Sequence, residues 1–157
     1  MSRWMTVCLV CLPVALAACG GDGDGTSAAL VLDHLTTREA AYHSSIGALP
    51  GVDAIRTETS EYTGDMHGLL DAMSVECREM RHSGPGMETH TMDDMAGAMD
   101  RMQGLIDENH SRMEAMADVD SMRVECGTHH QAMEDLLGEM DGMIPGGGMM
   151  GGGRGMM

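Results

Sequence analysis

The stretch VDSMRVECGTHHQAMEDLLGEM, residues 119–140, decides the fold, because its apolar and weakly polar residues recur every three or four positions. This spacing places them on one face of an α-helix. The face continues to position 143, so a helix is predicted over residues 119–143. Its positions are Val119, Met122, Cys126, His129, Met133, Leu136, Met140 and Met143.

The same pattern occurs 67 residues earlier in the chain, without a gap. Residues 43–73, HSSIGALPGVDAIRTETSEYTGDMHGLLDAM, align with residues 110–140, HSRMEAMADVDSMRVECGTHHQAMEDLLGEM. Identical pairs include His43/His110, Val52/Val119, Asp53/Asp120, Arg56/Arg123, Glu58/Glu125, Met66/Met133, Leu70/Leu137 and Met73/Met140. We interpret the alignment as an internal repeat of one helical hairpin.

Breaks in the periodic pattern divide the chain into four predicted helices, near residues 27–48, 52–82, 87–117 and 119–143. Pro50-Gly51 ends the first, Ser83-Gly84-Pro85-Gly86 separates the two copies, and Pro145 stops the last. Asp118 is a suitable N-cap for the fourth helix. Short connections make neighbouring helices antiparallel, so the predicted fold is all-α: an antiparallel four-helix bundle of two repeated hairpins, residues 28–144.

The N-terminal segment has the features of a signal peptide, residues 1–18. Arg3 supplies the positive charge, and the apolar run that follows is too short to span a bilayer. It ends in Leu16-Ala17-Ala18-Cys19, which resembles the lipobox of bacterial lipoproteins. The resemblance implies cleavage before Cys19 and acylation of that residue. The alternative is an ordinary signal peptide with a cysteine nearby.

Acylated Cys19 would anchor the chain in a lipid bilayer, followed by a flexible Gly/Asp tether, residues 19–27. Gly20 stands where an Asp retains lipoproteins of enteric bacteria in the inner membrane. By that resemblance the expected location is the cell envelope, with the outer membrane favoured, facing the periplasm or the exterior.

Composition narrows the range of partners. The formal net charge of −16 makes nucleic acid an unsuitable partner and favours cations or a basic protein face. The chain is methionine-rich, with 20 Met and no Phe, so methionine must fill much of the core volume. The Gly/Met-rich tail, residues 145–157, is expected to be disordered and could also collect Cu(I) weakly.

The repeat shows where the second copy has acquired metal-ligand residue types. Cys126 replaces Thr59, His129 replaces Tyr62, and His130 replaces Thr63. An antiparallel bundle brings the histidines before each interhelical turn to the same level, and Tyr62 can close the cluster. The predicted metal ligands are His43, His110, Glu125, Cys126, His129, His130 and Met133.

These donors favour soft or borderline ions, copper first and zinc second. The chain resembles His/Met-rich periplasmic metal-handling bundles in general character. The predicted function is therefore metal binding by a membrane-anchored lipoprotein, without catalysis. The alternative is a structural or partner-binding lipoprotein, in which the same residues only pack the core. An enzyme with a di-iron or haem centre is disfavoured, because neither Glu-x-x-His nor Cys-x-x-Cys-His occurs.

The cysteines of the bundle present a conflict. An oxidising envelope favours a disulfide between Cys77 and Cys126. The predicted bundle separates them by roughly 27 Å along parallel helices, far beyond the Cα distance that a disulfide allows. We expect the two thiols to be unpaired.

Overall fold

The computed structural model describes residues 26–83 and 89–144, which form four α-helices. They are α1 (Thr26–Ala48), α2 (Val52–Ser83), α3 (Thr89–Ala115) and α4 (Val119–Met143). The bounds agree with the sequence prediction to within two residues; the predicted start of α3 at 87 falls outside the described residues. The predicted signal peptide, most of the predicted tether and the Gly/Met-rich tail also lie outside them.

The helices pack as an antiparallel four-helix bundle of two hairpins, as predicted. In the described part of the chain, α1 packs against α2 and α4, and α3 packs against the same two helices. No helix of that part is long and apolar enough to cross a membrane.

Methionine is the most frequent residue type among the buried hydrophobic residues of the core, in a chain that has no phenylalanine. Fully buried methionines come from α2, α3 and α4 and fill the space between the aliphatic residues of the seams. In α3, Ala98 is buried while the neighbouring Met99 is half-buried. The largest fully buried residues are Tyr42, Tyr62, Leu35, Ile46, Ile55, Met66, Met73, Met102, Ile106, Met113, Met122 and Met133.

The start of α4 is fixed by its N-cap. Asp118 has an extended backbone, and its Oδ1 accepts a hydrogen bond of 2.8 Å from the backbone N–H of Ser121. This bond satisfies one of the amide groups that the first turn of a helix leaves unpaired. It also lowers the pKa of Asp118. The N-cap prediction is therefore confirmed.

Two equivalent arginines join the hairpins at the end of the bundle that carries the short turns. Arg56 of α2 donates to the carbonyl oxygens of Glu114 and Met116, at 2.9 and 2.8 Å. Arg123 of α4 donates to the carbonyl oxygen of Leu49, at 3.2 Å. In each contact, an arginine in the second helix of one hairpin donates to backbone carbonyl groups at the C-terminal end of the first helix of the other hairpin. The two contacts are related by the sequence repeat.

The two cysteines of the bundle are free thiols, and both are buried. The expectation that they do not pair is confirmed. Helices α2 and α4 run parallel, and Cys77 lies near the end of α2 whereas Cys126 lies near the start of α4. The two thiols are therefore at different levels along the bundle.

Candidate functional site

A buried polar network occupies the core where α1, α2 and α4 meet. Its centre is the carboxylate of Glu39, which is 1% exposed. Tyr62 Oη donates to Glu39 Oε2 and lies 2.9 Å from Nε2 of His129. His130 Nδ1 lies 3.1 Å from the other oxygen, Glu39 Oε1. One carboxylate is therefore shared by a tyrosine and a histidine, while a second histidine lies 3.8 Å from Oε2.

A second polar layer lies beside the first and links α1, α2 and α3. Tyr42 Oη is 3.1 Å from Thr59 Oγ1 and accepts a hydrogen bond of 3.1 Å from Asn109 Nδ2. The Tyr42 and Tyr62 rings stack with their centroids 4.0 Å apart. The two layers therefore form one polar cluster inside a methionine-rich core.

Both layers contain contacts between residues that the repeat makes equivalent. Tyr42 corresponds to Asn109, and Tyr62 corresponds to His129, and each pair is joined by a hydrogen bond. Residues that touch their own equivalents lie on the axis relating two copies, as in a two-fold interface. The polar cluster therefore lies on the pseudo-two-fold axis of the bundle.

The rim of the network is lined by further titratable groups. The His43 and His130 rings stack with a centroid distance of 4.0 Å, and Glu134 Oε1 lies 3.6 Å from His130 Nε2. On the opposite side, the Arg38 guanidinium lies 5.4 Å from the centroid of the Tyr62 ring. Arg38 is held there by ion pairs with Glu58 and Asp65.

Burial sets the protonation states in the network. Desolvation lowers the pKa of His129, against the opposing effect of Glu39, so its imidazole is neutral at pH 7. Desolvation and the adjacent Glu39 raise the pKa of Tyr62, so it keeps its proton. Desolvation, with the charges of Glu39 and Glu125, raises the pKa of Cys126 to about 12, which makes its thiol unreactive.

The structure brings together three of the predicted ligands: His43, His129 and His130. Tyr62 closes the cluster, as expected. Among the described residues, no hydrogen bond, ion pair or ring contact links His110 to these histidines, although its Nδ1 is buried without a partner.

The other predicted ligands lie elsewhere or pack the core. Glu125 pairs with Arg112 of α3, with Oε1 3.1 Å from Nη1, instead of joining His129. Met133 is fully buried and belongs to the hydrophobic core cluster, as does Cys126. Within residues 26–83 and 89–144, no group of three or more His, Cys, Asp or Glu side chains is arranged to hold a metal ion.

Sequence reasoning missed Glu39, the centre of the network. A signal was available in the sequence, because the apolar residues Leu35 and Tyr42 lie two helical turns apart and no apolar residue of the same face stands in the turn between them. Position 39 fills that turn with steps of four and three residues. A charged residue in such a position is ordinarily solvated, so only a partner on another helix reveals that this one is buried.

A cavity of about 180 Å³ opens between α3 and α4 and reaches His129. Its inner part is lined by Asn109 and His129, and its outer part by Glu108, Arg112 and Glu125. Arg112 forms ion pairs with both glutamates. The cavity therefore connects the buried network to the polar surface of the second hairpin.

No protein-family model matches the chain, and no curated protein or solved structure matches it either.

Proposed function

We propose that this protein is a membrane-anchored lipoprotein of the cell envelope that binds a divalent metal ion of borderline softness and catalyses no reaction. Copper, as Cu(II), is the favoured ion and zinc the second. The observation that carries the proposal is the buried Glu39 carboxylate, shared by Tyr62 and His130 with His129 close by.

The spacing of the donor atoms supports this proposal. Two ligands of one tetrahedral ion, each at about 2.1 Å from the metal, lie about 3.4 Å apart. Glu39 Oε1 and His130 Nδ1 are 3.1 Å apart, and Glu39 Oε2 and His129 Nε2 are 3.8 Å apart. The proposed ligands are therefore Glu39, His129 and His130. Small movements of the rings, and release of Glu39 by the Tyr62 hydroxyl, would complete the site.

The donor chemistry favours borderline ions over soft ones. Imidazole and carboxylate suit Cu(II), Zn(II) and Ni(II), whereas Cu(I) prefers thiolate and thioether. Cys126 keeps its proton, and Met133 packs in the apolar core. His129 is neutral because of burial, and a histidine ligand must be neutral to bind a metal.

The absence of catalysis in this proposal is supported by the enclosure of the network. Glu39 and His129 are 1% and 4% exposed, so an organic substrate has little access to them. The proposed anchor is acylated Cys19, supported by the Leu16-Ala17-Ala18-Cys19 sequence. In this proposal the bundle faces the periplasm or the exterior.

The test is thermal unfolding of the full chain in detergent, metal-free and with Cu(II), Zn(II) or Ni(II) in turn. An ion that binds only the folded state at about 100 times its Kd adds roughly 2.7 kcal/mol of stability. We expect Cu(II) to raise the Tm most. Glu39→Gln, which keeps the shape of the side chain, should abolish most of the shift, and so should His129→Ala combined with His130→Ala.

The matched control is His34→Ala, which removes an exposed histidine of α1 and should leave the shift intact. An equal shift in wild type and Glu39→Gln would show that the ions bind elsewhere. Absence of a shift with all three ions would reject metal binding.

The second candidate function is a structural or partner-binding lipoprotein. It is favoured by the mutual hydrogen bonding of Glu39, Tyr62, His129 and His130, which leaves the carboxylate fully paired without a metal. Such a network can serve only to fix the packing of the helices. This function predicts no metal-dependent change in Tm and a large loss of stability on Glu39→Gln.

A further inference from the structure

A groove of about 480 Å³ runs between α1 and α4, toward the end of the bundle where α1 begins and α4 ends. Leu32 and Leu137 form its apolar floor, and each is 6% exposed. Gly138 lies beside them, and a Cβ atom added at this glycine would meet nothing within 4 Å. The α1–α4 groove is therefore open above the backbone of α4, and no described side chain fills it there.

The rim of the α1–α4 groove is acidic. It carries the exposed carboxylates of Asp33, Glu134 and Asp141. Glu134 Oε1 lies 3.6 Å from Nε2 of His130, but no ion pair within residues 26–83 and 89–144 reaches Asp33 or Asp141. Two of the three rim carboxylates therefore have no cationic neighbour in the described part of the chain.

The arginines of α1 and α4 lie away from the groove. Arg38 of α1 faces α2, where it forms ion pairs with two carboxylates. Arg123 of α4 lies at the opposite end of the bundle, where it donates to the carbonyl oxygen of Leu49. An apolar floor with an acidic rim suits a segment that offers adaptable apolar side chains together with a positive charge.

The tail of this chain, residues 145–157, has that chemistry and follows α4 directly. It carries Met149, Met150, Met156 and Met157, and its one charged side chain is Arg154. Methionine is unbranched and adapts to irregular apolar surfaces, and arginine is the complement of the acidic rim. The tail itself lies outside the described residues.

The tail is long enough to run back along the groove. Ile144, which is 5% exposed, ends the described chain next to the groove, and its backbone N–H donates to the carbonyl oxygen of Asp141. Arg154 follows Ile144 by ten residues, which reach up to roughly 33 Å when extended. Glu134 precedes Ile144 by ten residues, a rise of only roughly 15 Å along the helix.

The segment before α1 is a poorer occupant of the same groove. Residues 20–25 also reach this end of the bundle, but they contain Asp22 and Asp24, no basic residue and no large apolar side chain. An acidic segment is repelled by an acidic rim.

We propose that the tail, residues 145–157, occupies the α1–α4 groove, with Met149 and Met150 on its apolar floor and Arg154 against its acidic rim. Because the tail is attached to α4, it is present at a high effective concentration beside the groove. This inference concerns a surface that the proposed metal site does not use, and it holds whether or not an ion binds.

The experiment measures how fast hydrogen peroxide oxidises Met149 and Met150 in the metal-free full chain in detergent. Mass spectrometry of the peptide that contains them gives the rate of sulfoxide formation, and a synthetic peptide of residues 145–157 gives the rate for an unprotected tail. We expect oxidation in the protein to be about tenfold slower, as for a tail that leaves the groove about one-tenth of the time. Metal-free conditions exclude protection by a bound ion.

Gly138→Leu fills the groove from its floor and should raise the oxidation rate to that of the synthetic peptide. Leucine is a better helix former than glycine, and the added side chain has open space, so α4 should stay folded. The matched control is Gly104→Leu, at an exposed glycine of α3 where an added Cβ also meets nothing within 4 Å. This control should keep the protection of wild type.

Variants of Arg154 test the contact with the acidic rim. Arg154→Glu reverses the charge and should remove most of the protection, whereas Arg154→Lys should retain it. Raising the ionic strength to about 1 M shortens the screening length to about 3 Å, so it should speed oxidation in wild type and change Arg154→Glu much less.

Four outcomes would overturn the proposal. Oxidation of wild type at the rate of the synthetic peptide would mean that the tail does not occupy the groove. Equal protection in wild type and Gly138→Leu would place the tail elsewhere on the protein. Protection that increases with protein concentration would assign the groove to the tail of a second copy. Full protection in Arg154→Glu would remove the contact with the acidic rim.

Discussion

Glu39 organises the core of this protein at the level of single residues. A buried carboxylate is costly unless hydrogen-bond donors surround it, and here Tyr62 and His130 supply them from two different helices. Removing one partner of such a group destabilises more than removing a surface charge, because the remaining charge stays buried. The residue therefore fixes how α1, α2 and α4 pack, whether or not an ion binds.

Burial of His129 gives the protein a pH dependence with a defined sign. Its pKa in the folded state is lowered from 6.5, whereas the unfolded chain keeps the ordinary value. Below about pH 6.5 the unfolded state binds more protons than the folded state. The free energy of unfolding therefore decreases as the pH is lowered from about 6.5, until the pH reaches the pKa of His129 in the folded state. His129→Gln, which keeps a donor for Tyr62, should flatten the dependence of the free energy of unfolding on pH in this range.

Urea denaturation at several pH values between 5 and 7 measures that slope for each variant. The control is His34→Gln, an exposed histidine, whose slope should equal that of wild type. An unchanged slope in His129→Gln would mean that the imidazole binds its proton equally well in the folded and unfolded chains, and the lowered pKa would be wrong.

At the level of helices, most of the architecture could be predicted from periodicity and from the residues that break it. The predicted seam of α4 includes every buried residue of that helix except Leu137, and its end positions, Val119 and Met143, are half-buried. Glycine and proline in the first two connections and after α4, and the N-cap Asp118 before α4, predicted the helix ends to within two residues. These features depend on local sequence, which is why they could be read without the fold.

The partners of the polar side chains could not be predicted in the same way. Glu125 was expected beside His129, but Arg112 lies across the groove and pairs with it at 3.1 Å. Helical spacing predicts the side of its own helix on which a residue lies. Ion pairing also depends on how the neighbouring helix is rotated and shifted along its axis, which the spacing does not give. The choice between Glu39 and Glu125 as the partner of the histidines therefore required the packed structure.

The N-cap of α4 should contribute measurably to stability. Asp118→Ala removes the acceptor for the Ser121 N–H, and we expect it to lower the free energy of unfolding by about 1 kcal/mol. Urea denaturation measures the change. Asp135→Ala, which removes the same charge from an exposed position inside α4, should change stability by less than about 0.5 kcal/mol. Equal effects of the two variants would show that charge, and not capping, is responsible.

For the molecule as a whole, the enclosed thiols should report opening of the bundle. Cys126 is buried, and desolvation raises its pKa to about 12. Alkylation of Cys126, followed by mass spectrometry of its peptide, should therefore proceed only when the core opens and should accelerate steeply with urea. Val124→Cys places a thiol at a position that is 72% exposed and should react at once in the folded protein. Similar rates at both positions in the absence of urea would contradict a closed core.

The reciprocal contacts of Arg56 and Arg123 have a consequence for what this core can contain. In a dimer of identical hairpins, every residue on the axis meets a copy of itself, so Tyr62 would face a second Tyr62. A single chain holding both hairpins escapes that restriction. Here Tyr62 faces His129 and Tyr42 faces Asn109, so two different side chains are hydrogen-bonded at each of these positions. An exact two-fold axis would require the two side chains to be the same. The covalent link between the hairpins is what permits an asymmetric interior.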